Sequence, residues 1–265
     1  LFVGDEFLGH LAQMTLDLDQ IVVIGDPGDS GYPSYDDWVG GQSDEDPNVA
    51  VAPDDTCYQL YTSGTTGLPK GVETTNHNMI ALMSEGLGAL NFSPATVNLV
   101  CMPLFHISGS GWGVIGLYSG ATSILLRDVD MQEILRVIPA FRITHTIFVP
   151  AVMQFLLAQP NVNDIDYSSL ESITYGASPV TEKVLVDAMK TFKARFYQVY
   201  GLTETTGGVT ILMPEDHDPG GTRADLLRSC GKAVVGHALQ IVNRETGAVL
   251  PDGEVGEICV KGPQV

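Results

Sequence analysis

Residues 62–71 read TSGTTGLPKG and directly follow a short apolar run, Tyr58–Tyr61. Three glycines permit positive φ angles and a close approach of the backbone to a ligand. Four hydroxyl side chains and one cation, Lys70, accompany them. Because backbone N–H groups, hydroxyls and a lysine are the groups that bind a polyphosphate, the stretch predicts a phosphate-binding loop rather than an ordinary polar turn. The spacing is not GxxxxGK[ST], since Gly71 follows the lysine, and this excludes a Walker-type hydrolase loop.

The loop belongs to a longer alternation of short apolar runs and helical patterns. The predicted strands are Tyr58–Thr62, Val97–Met102, Ala121–Leu126, His145–Val149, Ser172–Tyr175 and Arg195–Val199. The predicted helices are His77–Leu90, Gly109–Tyr118, Met131–Phe141, Ala151–Ala158 and Val180–Phe192. This order predicts an α/β fold with a mostly parallel sheet that is flanked by helices and binds ligands beyond the carboxyl ends of its strands.

The clearest helical pattern is Val180–Phe192, where apolar side chains recur at the spacing of one helix face. Ser178 and Pro179 precede it and fit the N-cap and the first helical position. By the same reasoning Asn76 is the candidate N-cap of the helix that starts at His77.

Both ends of the chain differ from this alternation. Ile21–Gly25 predicts a strand, and the Asp-, Gly-, Pro- and Ser-rich residues 26–55 predict a long surface loop. After Gly236, two predicted strands are joined through Gly-containing turns, as in the first hairpin of a small β subdomain. These strands are His237–Asn243 and Glu257–Lys261. We therefore expect two domains, a partial α/β domain over 1–235 and the incomplete β subdomain over 236–265.

The charge balance limits the classes of partner. The 265 residues include 13 Lys and Arg against 32 Asp and Glu, which gives a net charge of −19. Residues 1–69 hold 13 acids and no Lys or Arg. So acidic a chain argues against a nucleic acid or an anionic membrane as its partner.

Three further features of the sequence predict neither a metal site nor a membrane span. The four cysteines are widely spaced, and the histidines show no metal-ligand spacing. Residues 86–126 lack Asp, Glu, Lys and Arg, which is typical of a membrane span. However, five glycines lie between Gly109 and Gly120, and Pro94 and Pro103 precede them. The stretch therefore predicts a buried strand, a Gly-rich helix and another strand rather than a membrane span. We expect a cytoplasmic protein with reduced thiols and no transmembrane segment; peripheral contact with a membrane stays open.

The loop and four later segments resemble the adenylate-forming, or AMP-binding, superfamily, and within it fatty-acyl-CoA synthetases. The later segments are MPLFH at Met102–His106, YGASP at Tyr175–Pro179, YGLTE at Tyr200–Glu204, and Gly231–Gly236 leading to Gly253–Pro263. The loop at 62–71 and YGLTE are the most specific of these. The resemblance covers about residues 15–265 and implies the large-domain fold of this superfamily, followed by the start of its small β-barrel subdomain.

The resemblance implies a two-step reaction in lipid or fatty acid metabolism. In that superfamily a carboxylate attacks the α-phosphate of ATP, pyrophosphate leaves, and a thiol, usually that of coenzyme A, displaces AMP from the acyl-adenylate. ATP, Mg²⁺, coenzyme A and a small-molecule carboxylic acid are therefore the expected cofactor and substrates. Nucleotidyl transfer needs positioning and charge stabilisation more than covalent help from the protein.

The resemblance also assigns site residues. Those on the phosphate side are Thr62, Ser63, Gly64, Thr65, Thr66, Gly67 and Lys70. Those on the nucleotide and acyl side are Gly176, Ala177, Ser178, Tyr200, Gly201 and Thr203. The catalytic residues are Lys70, His106, Thr203 and Glu204, of which Glu204 is the metal ligand because Mg²⁺ prefers carboxylate oxygen.

Three of these residues have ordinary alternatives. His106 could instead be a hydrogen-bonded core residue, and Tyr200 a buried aromatic at the end of a strand. Glu204 fits an acid at a helix N-terminus, where the helix dipole stabilises it.

The substrate follows from one missing carboxylate. Amino-acid-activating relatives place an Asp after the residue at Phe105, whereas this chain has His106 there. A buried pocket without that carboxylate disfavours an ammonium group, so we expect a medium- or long-chain fatty acid. An acyl-adenylating domain that loads a carrier protein, and a non-catalytic nucleotide-binding relative, remain alternatives.

The resemblance finally predicts what lies outside the chain. Members of this superfamily have a preceding N-terminal segment, a ribose-binding Asp beyond the position of Val265, and a mobile C-terminal domain with a catalytic lysine. We expect that domain as a partner of this chain, and little or no ligase activity from residues 1–265 alone.

Overall fold

The internal contacts of the chain divide it between Val51 and Ala52. The computed structural model describes residues 1–64, 67–86 and 88–265. In the unit Leu1–Val51, strands β1 (Phe2–Gly4) and β2 (Val22–Ile24) pair in parallel, with the short helix α1 (Leu8–Leu11) between them. The strand predicted at Ile21–Gly25 is thus confirmed.

The long loop predicted over residues 26–55 is wrong in part, because helix α2 (Tyr35–Gly40) lies within it. The Ser34 hydroxyl accepts a hydrogen bond from the backbone N–H of Asp37 at 3.1 Å and caps the helix. Asp36 and Asp37 stand in its first turn, where negative charge is favourable. The composition that predicted a loop therefore also supplies a helix start.

The unit Ala52–Val265 begins with a two-stranded antiparallel ribbon, β3 (Thr56–Thr62) and β4 (Lys70–Thr75). Helix α3 (Asn76–Ala81) follows at once, and its N-cap is Thr75 rather than the predicted Asn76, because the Thr75 hydroxyl accepts from the N–H of Asn78. A π-helical segment, Leu82–Gly86, continues α3, so the single helix predicted to Leu90 is broken.

The central sheet has seven strands, five of them parallel. The parallel strands are β5 (Val97–Val100), β6 (Thr122–Leu125), β7 (His145–Phe148), β8 (Ser172–Gly176) and β9 (Arg195–Leu202). Two antiparallel strands that the sequence did not predict, β10 (Gly207–Leu212) and β11 (Lys232–Ala233), extend the edge beyond β9. The spatial order is β11-β10-β9-β8-β7-β5-β6.

Helices cover this sheet, and the predicted fold class is confirmed. They are α4 (Ile107–Tyr118), α5 (Met131–Ala140), α6 (Pro150–Leu157) and α7 (Glu182–Phe192). The core between helices and strands includes Ile134 and Ile138 of α5, Phe148 of β7 and Phe192 of α7, all fully buried.

The start of α7 corrects one prediction. The helix begins at Glu182, and its N-cap is Thr181, whose hydroxyl accepts from the N–H of Val184 at 3.4 Å. Ser178 and Pro179 therefore lie before the helix. This leaves the Ser178 side chain exposed and available to the site described below.

The last two strands, β12 (Ala238–Val242) and β13 (Glu257–Lys261), form the antiparallel hairpin that the sequence predicted. The domain boundary at 235/236 stays a prediction, since the contacts divide the chain at 51/52 instead. None of the helices in the described ranges combines the length and apolar character that a membrane crossing requires.

Candidate active site

The predicted phosphate loop joins the two strands of the β3–β4 ribbon, with Thr62 opposite Lys70 in the last register pair before it. The sequence placed this loop after a strand of the parallel sheet, which is wrong: the ribbon is a separate two-stranded sheet. The Gly67 N–H donates to the Gly64 carbonyl at 3.0 Å. Thr65 and Thr66 lie outside the described residues.

Gly64 is required at its position. A Cβ there would overlap the carbonyl oxygen of Leu68 and would stand 3.2 Å from Lys70 Cγ. The aliphatic part of the Lys70 side chain thus passes directly beside the loop backbone. Thr62 is half-buried, whereas Ser63 and Lys70 are exposed.

The YGLTE segment leaves the sheet through a tight turn. Strand β9 continues to Leu202, and Thr203–Thr205 then form one 3-10 turn in which Thr203 is half-buried and Glu204 is exposed. Thr206 (φ 53°) and Gly207 (φ 109°) follow in the left-handed region, which reverses the chain into β10. Glu204 lies in the first turn of this three-residue 3-10 helix, so it stands at a helix N-terminus as the alternative expected, although so short a helix has only a small dipole.

The ribbon lies beside both of the other predicted catalytic segments. Strand β4, which starts at Lys70, contacts the turn Thr203–Thr205. The hydroxyl of Tyr58 on β3 donates to the Leu104 carbonyl at 2.9 Å, which ties the ribbon to the segment that ends in His106. The structure thus brings the elements carrying Lys70, His106 and Glu204 to one region.

His106 ends the loop before α4. It is exposed, its extended backbone precedes the helix, and its ring packs against Phe105 with centroids 4.7 Å apart. The alternative of a hydrogen-bonded core histidine is therefore wrong. The next two residues, Ile107 and Ser108, line the apolar channel described below.

The end of β8 brings the backbone of the YGASP segment against β9. Gly176 is buried, and a Cβ there would overlap the carbonyl oxygen of Val199. Ala177 follows with φ 64°, an unusual angle for a residue with a side chain. Strain of this kind persists where surrounding structure imposes it, and it turns Ala177 and Ser178 out of the sheet edge.

Two cavities meet at this edge. The first is an apolar channel between α4 and the sheet, with an empty volume of about 660 Å³ including the part open to solvent. The second is a cleft of about 1090 Å³, measured in the same way. The channel walls include Leu82, Leu90, Ile107, Gly111, Trp112, Ile115, Ile147 and Val149. The cleft is lined by Tyr175, Ser178, Pro179, Val180, Gln198, Tyr200, Leu202, Leu227, Arg228, Ser229 and Cys230.

Ala177, Val199 and Gly201 line both cavities, so a thin wall of backbone and small side chains separates them. Tyr200 is half-buried and lines the cleft, which makes the alternative of a buried core aromatic wrong. The structure therefore groups Gly176, Ala177, Ser178, Tyr200 and Gly201, as the sequence predicted.

A buried hydrogen-bonded pair lies behind the cleft. The Tyr175 hydroxyl and His217 Nε2 are 3.0 Å apart, and His217 Nδ1 is 2.9 Å from the Met213 carbonyl. A carbonyl only accepts, so Nδ1 carries the proton and Nε2 accepts from Tyr175. Burial lowers the pKa of His217 and raises that of the Tyr175 hydroxyl, so both groups are neutral near pH 7.

The donor set is suited to a cation that brings most of its own ligands. Within the described ranges, His, Cys, Asp and Glu side chains nowhere cluster in groups of three or more that would form a closed metal cage. Glu204 is exposed and forms no ion pair with a described residue. One free carboxylate fits Mg²⁺, which keeps several waters and binds through one or two carboxylates together with phosphate oxygens.

Some residues at the site were missed by the sequence reasoning. Tyr58, Trp112, Thr206 and Gln264 all contact or support the elements above. Trp112 lies in the predicted helix Gly109–Tyr118 but was not singled out as a site residue. The signal for Thr206 is only the Thr-Gly pair that permits a left-handed reversal, and nothing in the local pattern marks Gln264.

Comparison with known proteins agrees with this geometry. A family model described as "AMP-binding enzyme" matches residues 9–265. The fatty acid–[acyl-carrier-protein] ligase ScoC of Streptomyces coeruleorubidus is 34% identical, over 99% of this chain and 50% of its own length. The medium/long-chain-fatty-acid–CoA ligase FadD8 of Mycobacterium tuberculosis is 34% identical, over 93% of this chain and 43% of its own length. The 4-coumarate–CoA ligase 2 of Solanum tuberosum is 29% identical, over 98% of this chain and 48% of its own length.

Among solved structures, a long-chain-fatty-acid–CoA ligase (FadD1) of Archaeoglobus fulgidus superposes with a TM-score of 0.85 at 25% identity. The superposition covers 100% of this chain and 53% of that one. The chain thus spans about half the length of the curated relatives and of this structure.

Proposed function

The chain belongs to the AMP-binding enzyme family, and from this we propose that the protein activates a carboxylic acid with ATP and passes the acyl group to a thiol. The carboxylate attacks the α-phosphorus of ATP, the bond to the β-phosphate oxygen breaks, and pyrophosphate leaves. The thiol of coenzyme A then attacks the acyl carbon of the acyl-adenylate, and AMP leaves with the C–O electron pair.

The observation that carries this proposal is the shared wall of the two cavities. An apolar channel and a more polar cleft that meet at Ala177, Val199 and Gly201 suit two substrates that must react with each other. Holding both reactants in contact supplies much of the rate enhancement in such transfers. We place the acid in the channel and the nucleoside in the cleft, with the reacting atoms at the wall.

The ribbon loop and the turn after β9 would bind the charged phosphates of ATP. Thr62, Ser63, Gly64, Gly67 and Lys70 would hold the β- and γ-phosphates through hydroxyls, backbone N–H groups and one cation. Lys70 stabilises the leaving pyrophosphate because its ammonium group offsets charge that grows there. Thr65 and Thr66 are proposed for the same loop on the sequence alone.

Thr203 and Glu204 would act at the α-phosphate side. The Thr203 hydroxyl donates a hydrogen bond to a phosphate oxygen, and Glu204 holds Mg²⁺ through its carboxylate. When bound, Mg²⁺ supplies positive charge to the phosphate oxygens. The contact between β4 and the turn Thr203–Thr205 supports a common position for Lys70 and Glu204 along one ATP molecule.

His106 would mark the junction between acid and thiol. It is exposed directly before the channel residues Ile107 and Ser108, so its imidazole N–H can donate a hydrogen bond to the substrate carboxylate. Tyr58 and Phe105 hold the segment in place. We assign His106 an orienting role rather than that of a general base.

The apolar walls favour an uncharged acid, and we propose a medium- or long-chain fatty acid. The walls are contributed mainly by leucine, isoleucine, valine and glycine, and none of the described residues that line the channel is Lys, Arg, Asp or Glu. Two relatives are named as fatty acid ligases. The name of the Solanum relative makes an aryl acid the first competitor.

One specific observation favours a second candidate, the loading of a carrier protein. ScoC, named as a fatty acid–[acyl-carrier-protein] ligase, matches 99% of this chain. Incubation of the complete protein with ATP, octanoate or palmitate, and either coenzyme A or a phosphopantetheinyl carrier separates the two acceptors by product mass. Binding of ATP without pyrophosphate release would identify instead a non-catalytic nucleotide-binding protein.

The test of the proposed function is Mg²⁺-dependent ATP binding measured by calorimetry on purified protein. The loss of an interaction with a charged group costs about 1.5–3 kcal/mol of binding free energy, so Glu204→Gln should weaken ATP binding by roughly tenfold or more. Glu245→Gln is the matched control, because it removes the same charge from an exposed position in the β12–β13 connection. Equal affinities of the two variants would refute the role of Glu204, and no ATP binding by the parent protein would refute the function.

We further propose that complete turnover needs the part of the relatives that this chain does not match. The chain spans about half of their length, and a second domain that closes on the site would supply the rest. Residues 1–265 alone should then bind nucleotide but release pyrophosphate at most slowly. Normal turnover by this chain would contradict the proposal.

A further inference from the structure

The segment Gly262–Gln264, which we name the clamp, follows β13 and is hydrogen-bonded both to the turn that carries Glu204 and to helix α3, which follows the Lys70 ribbon. Gln264 is 1% exposed although its side chain is polar. Its amide nitrogen makes hydrogen bonds, whereas its Oε1 is buried without a partner among the described residues, so the bonds of Nε2 are what the side chain contributes at this position.

On one side the clamp binds the turn that carries Thr203 and Glu204. Gln264 Nε2 donates to the carbonyl oxygens of Thr205 and Gly208, both at 3.3 Å. In the opposite direction, the Thr206 hydroxyl donates to the Gln264 carbonyl at 2.8 Å. These three bonds span the whole reversal between β9 and β10.

On the other side the clamp binds helix α3, which begins where strand β4 of the Lys70 ribbon ends. Asn78 Nδ2 donates to the Pro263 carbonyl at 3.0 Å. Asn78 Oδ1 accepts from the backbone N–H of Thr75 at 3.1 Å and from its hydroxyl at 2.8 Å. Thr75 is the last residue of β4, so the clamp is linked to the ribbon through one asparagine.

The turn needs such support because its backbone is strained. Thr206 is β-branched and holds a φ of 53°, and Gly207 follows at 109°. A non-glycine residue in the left-handed region is strained and persists only where its surroundings fix it. The neighbouring Gly201 is packed so tightly that a Cβ there would overlap the Gly207 carbonyl. The Thr205 hydroxyl holds the turn from within through Leu202 and Gly207, and the clamp bonds add a constraint from a segment that is distant in sequence.

We propose that the clamp fixes the position of the Thr203–Glu204 turn relative to the Lys70 ribbon, and that Gln264 and Thr206 are positioning residues for the triphosphate and its Mg²⁺. The inference rests on the proposed function. It predicts a selective defect: ATP must span the ribbon loop and the turn at once, whereas AMP lacks the β- and γ-phosphates, reaches the turn only through its α-phosphate beside Thr203, and does not depend on where the ribbon lies. The cleft residues make no bond to the clamp among the described side chains.

The experiment compares two hydroxyl deletions. Thr206→Val removes the bond to the Gln264 carbonyl while keeping the size and branching of the side chain. Tyr167→Phe is the matched control, because its hydroxyl also donates to a backbone carbonyl at 2.8 Å, that of Val162, away from the site. Kd values for ATP with Mg²⁺ and for AMP are measured by calorimetry, together with the urea midpoint of each variant.

We expect Thr206→Val to weaken ATP binding about tenfold while AMP affinity changes less than about twofold, and Tyr167→Phe to change neither. Gln264→Met, an unbranched apolar side chain of similar length, should give the same selective loss. Because both variants break one link, the loss in the double variant should be smaller than the product of the single losses.

The clamp is refuted, with the proposed function intact, if the parent protein binds ATP and the Thr206 and Gln264 variants lose ATP and AMP affinity equally or not at all. If the parent protein binds no ATP, the proposed function fails and the clamp fails with it. If Gln264→Met does not fold, the Thr206→Val and Tyr167→Phe pair alone decides between these outcomes.

Discussion

A single methyl group in helix α4 tests whether the apolar channel holds the acid. Gly111 lines the channel, and a Cβ added there would stand 3.4 Å from Ile107 Cδ1 and 3.9 Å from Leu82 Cδ2. Both distances are ordinary van der Waals contacts, so Gly111→Ala places a methyl group in the channel without a clash. Gly113, one half-turn along the same helix, does not line the channel, and its Cβ would meet only Val100 Cγ1 at 3.8 Å.

Gly113→Ala is therefore the matched control. Each substitution should stabilise the helix by about 0.5–1 kcal/mol, since glycine is unfavourable within a helix. Only Gly111→Ala shortens the space for substrate, by about one methylene. A methylene in a filled hydrophobic pocket is worth about 1–3 kcal/mol, or roughly 10–200-fold in kcat/KM.

The assay is pyrophosphate release by the complete protein with saturated fatty acids from hexanoate to stearate. For Gly111→Ala, we expect kcat/KM for the longest accepted acids to fall at least about tenfold. Shorter acids should lose little, so the preferred chain length decreases. Gly113→Ala should keep the profile of the parent protein. An identical profile for both variants, or an equal loss at every chain length, would refute the channel as the acid site.

Burial lowers the pKa of His145 and His217 below 6.5, so the unfolded chain binds more protons than the folded one once the pH falls below that value. The free energy of unfolding should therefore be constant above about pH 6.5 and should decrease below it by up to about 1.4 kcal/mol per pH unit for each histidine. Urea unfolding between about pH 8 and pH 5 measures this slope, and a flat profile would contradict the prediction. Gly176→Ala forces a Cβ onto the backbone of β9 and should destabilise the fold by about 1–3 kcal/mol or more, seen as a lower urea midpoint at an unchanged m-value. Burial raises the pKa of the Cys101 thiol to about 12, so a thiol reagent at neutral pH should modify exposed Cys57 and reach Cys101 only on unfolding, as mass spectrometry of the two peptides can establish.

The central part of the fold could be predicted because its elements carry strong local signals. The strands β7 and β8 are continuous buried runs, and α5 and α7 have one apolar face, so length and periodicity identify them. Strand β10 was missed because Gly207–Leu212 follows a reversal at Thr206, whose left-handed backbone no sequence pattern requires.

Local chemistry gave the wrong start for α7 because two hydroxyl residues compete to be the N-cap of one helix. Ser178-Pro179 is a favourable helix start, yet Thr181 caps α7 three residues later. The strained Ala177 turns this segment outward, and Ser178 lines the cleft instead of capping the helix. Competition of this kind is decided by tertiary packing, which the sequence does not display.

The location of the phosphate loop explains why the site needs long-range hydrogen bonds. In a loop that follows a strand of the main sheet, the ladder itself fixes the position of the backbone. Here the loop closes a separate ribbon, so the main sheet does not set the position of Lys70. Tyr58 ties one strand of the ribbon to the His106 segment, and Asn78 ties the end of the other to the clamp. The relative placement of Lys70 and Glu204 therefore depends on a few side-chain bonds between distant residues, and substitutions in them should alter ATP binding with little effect on the stability of the sheet.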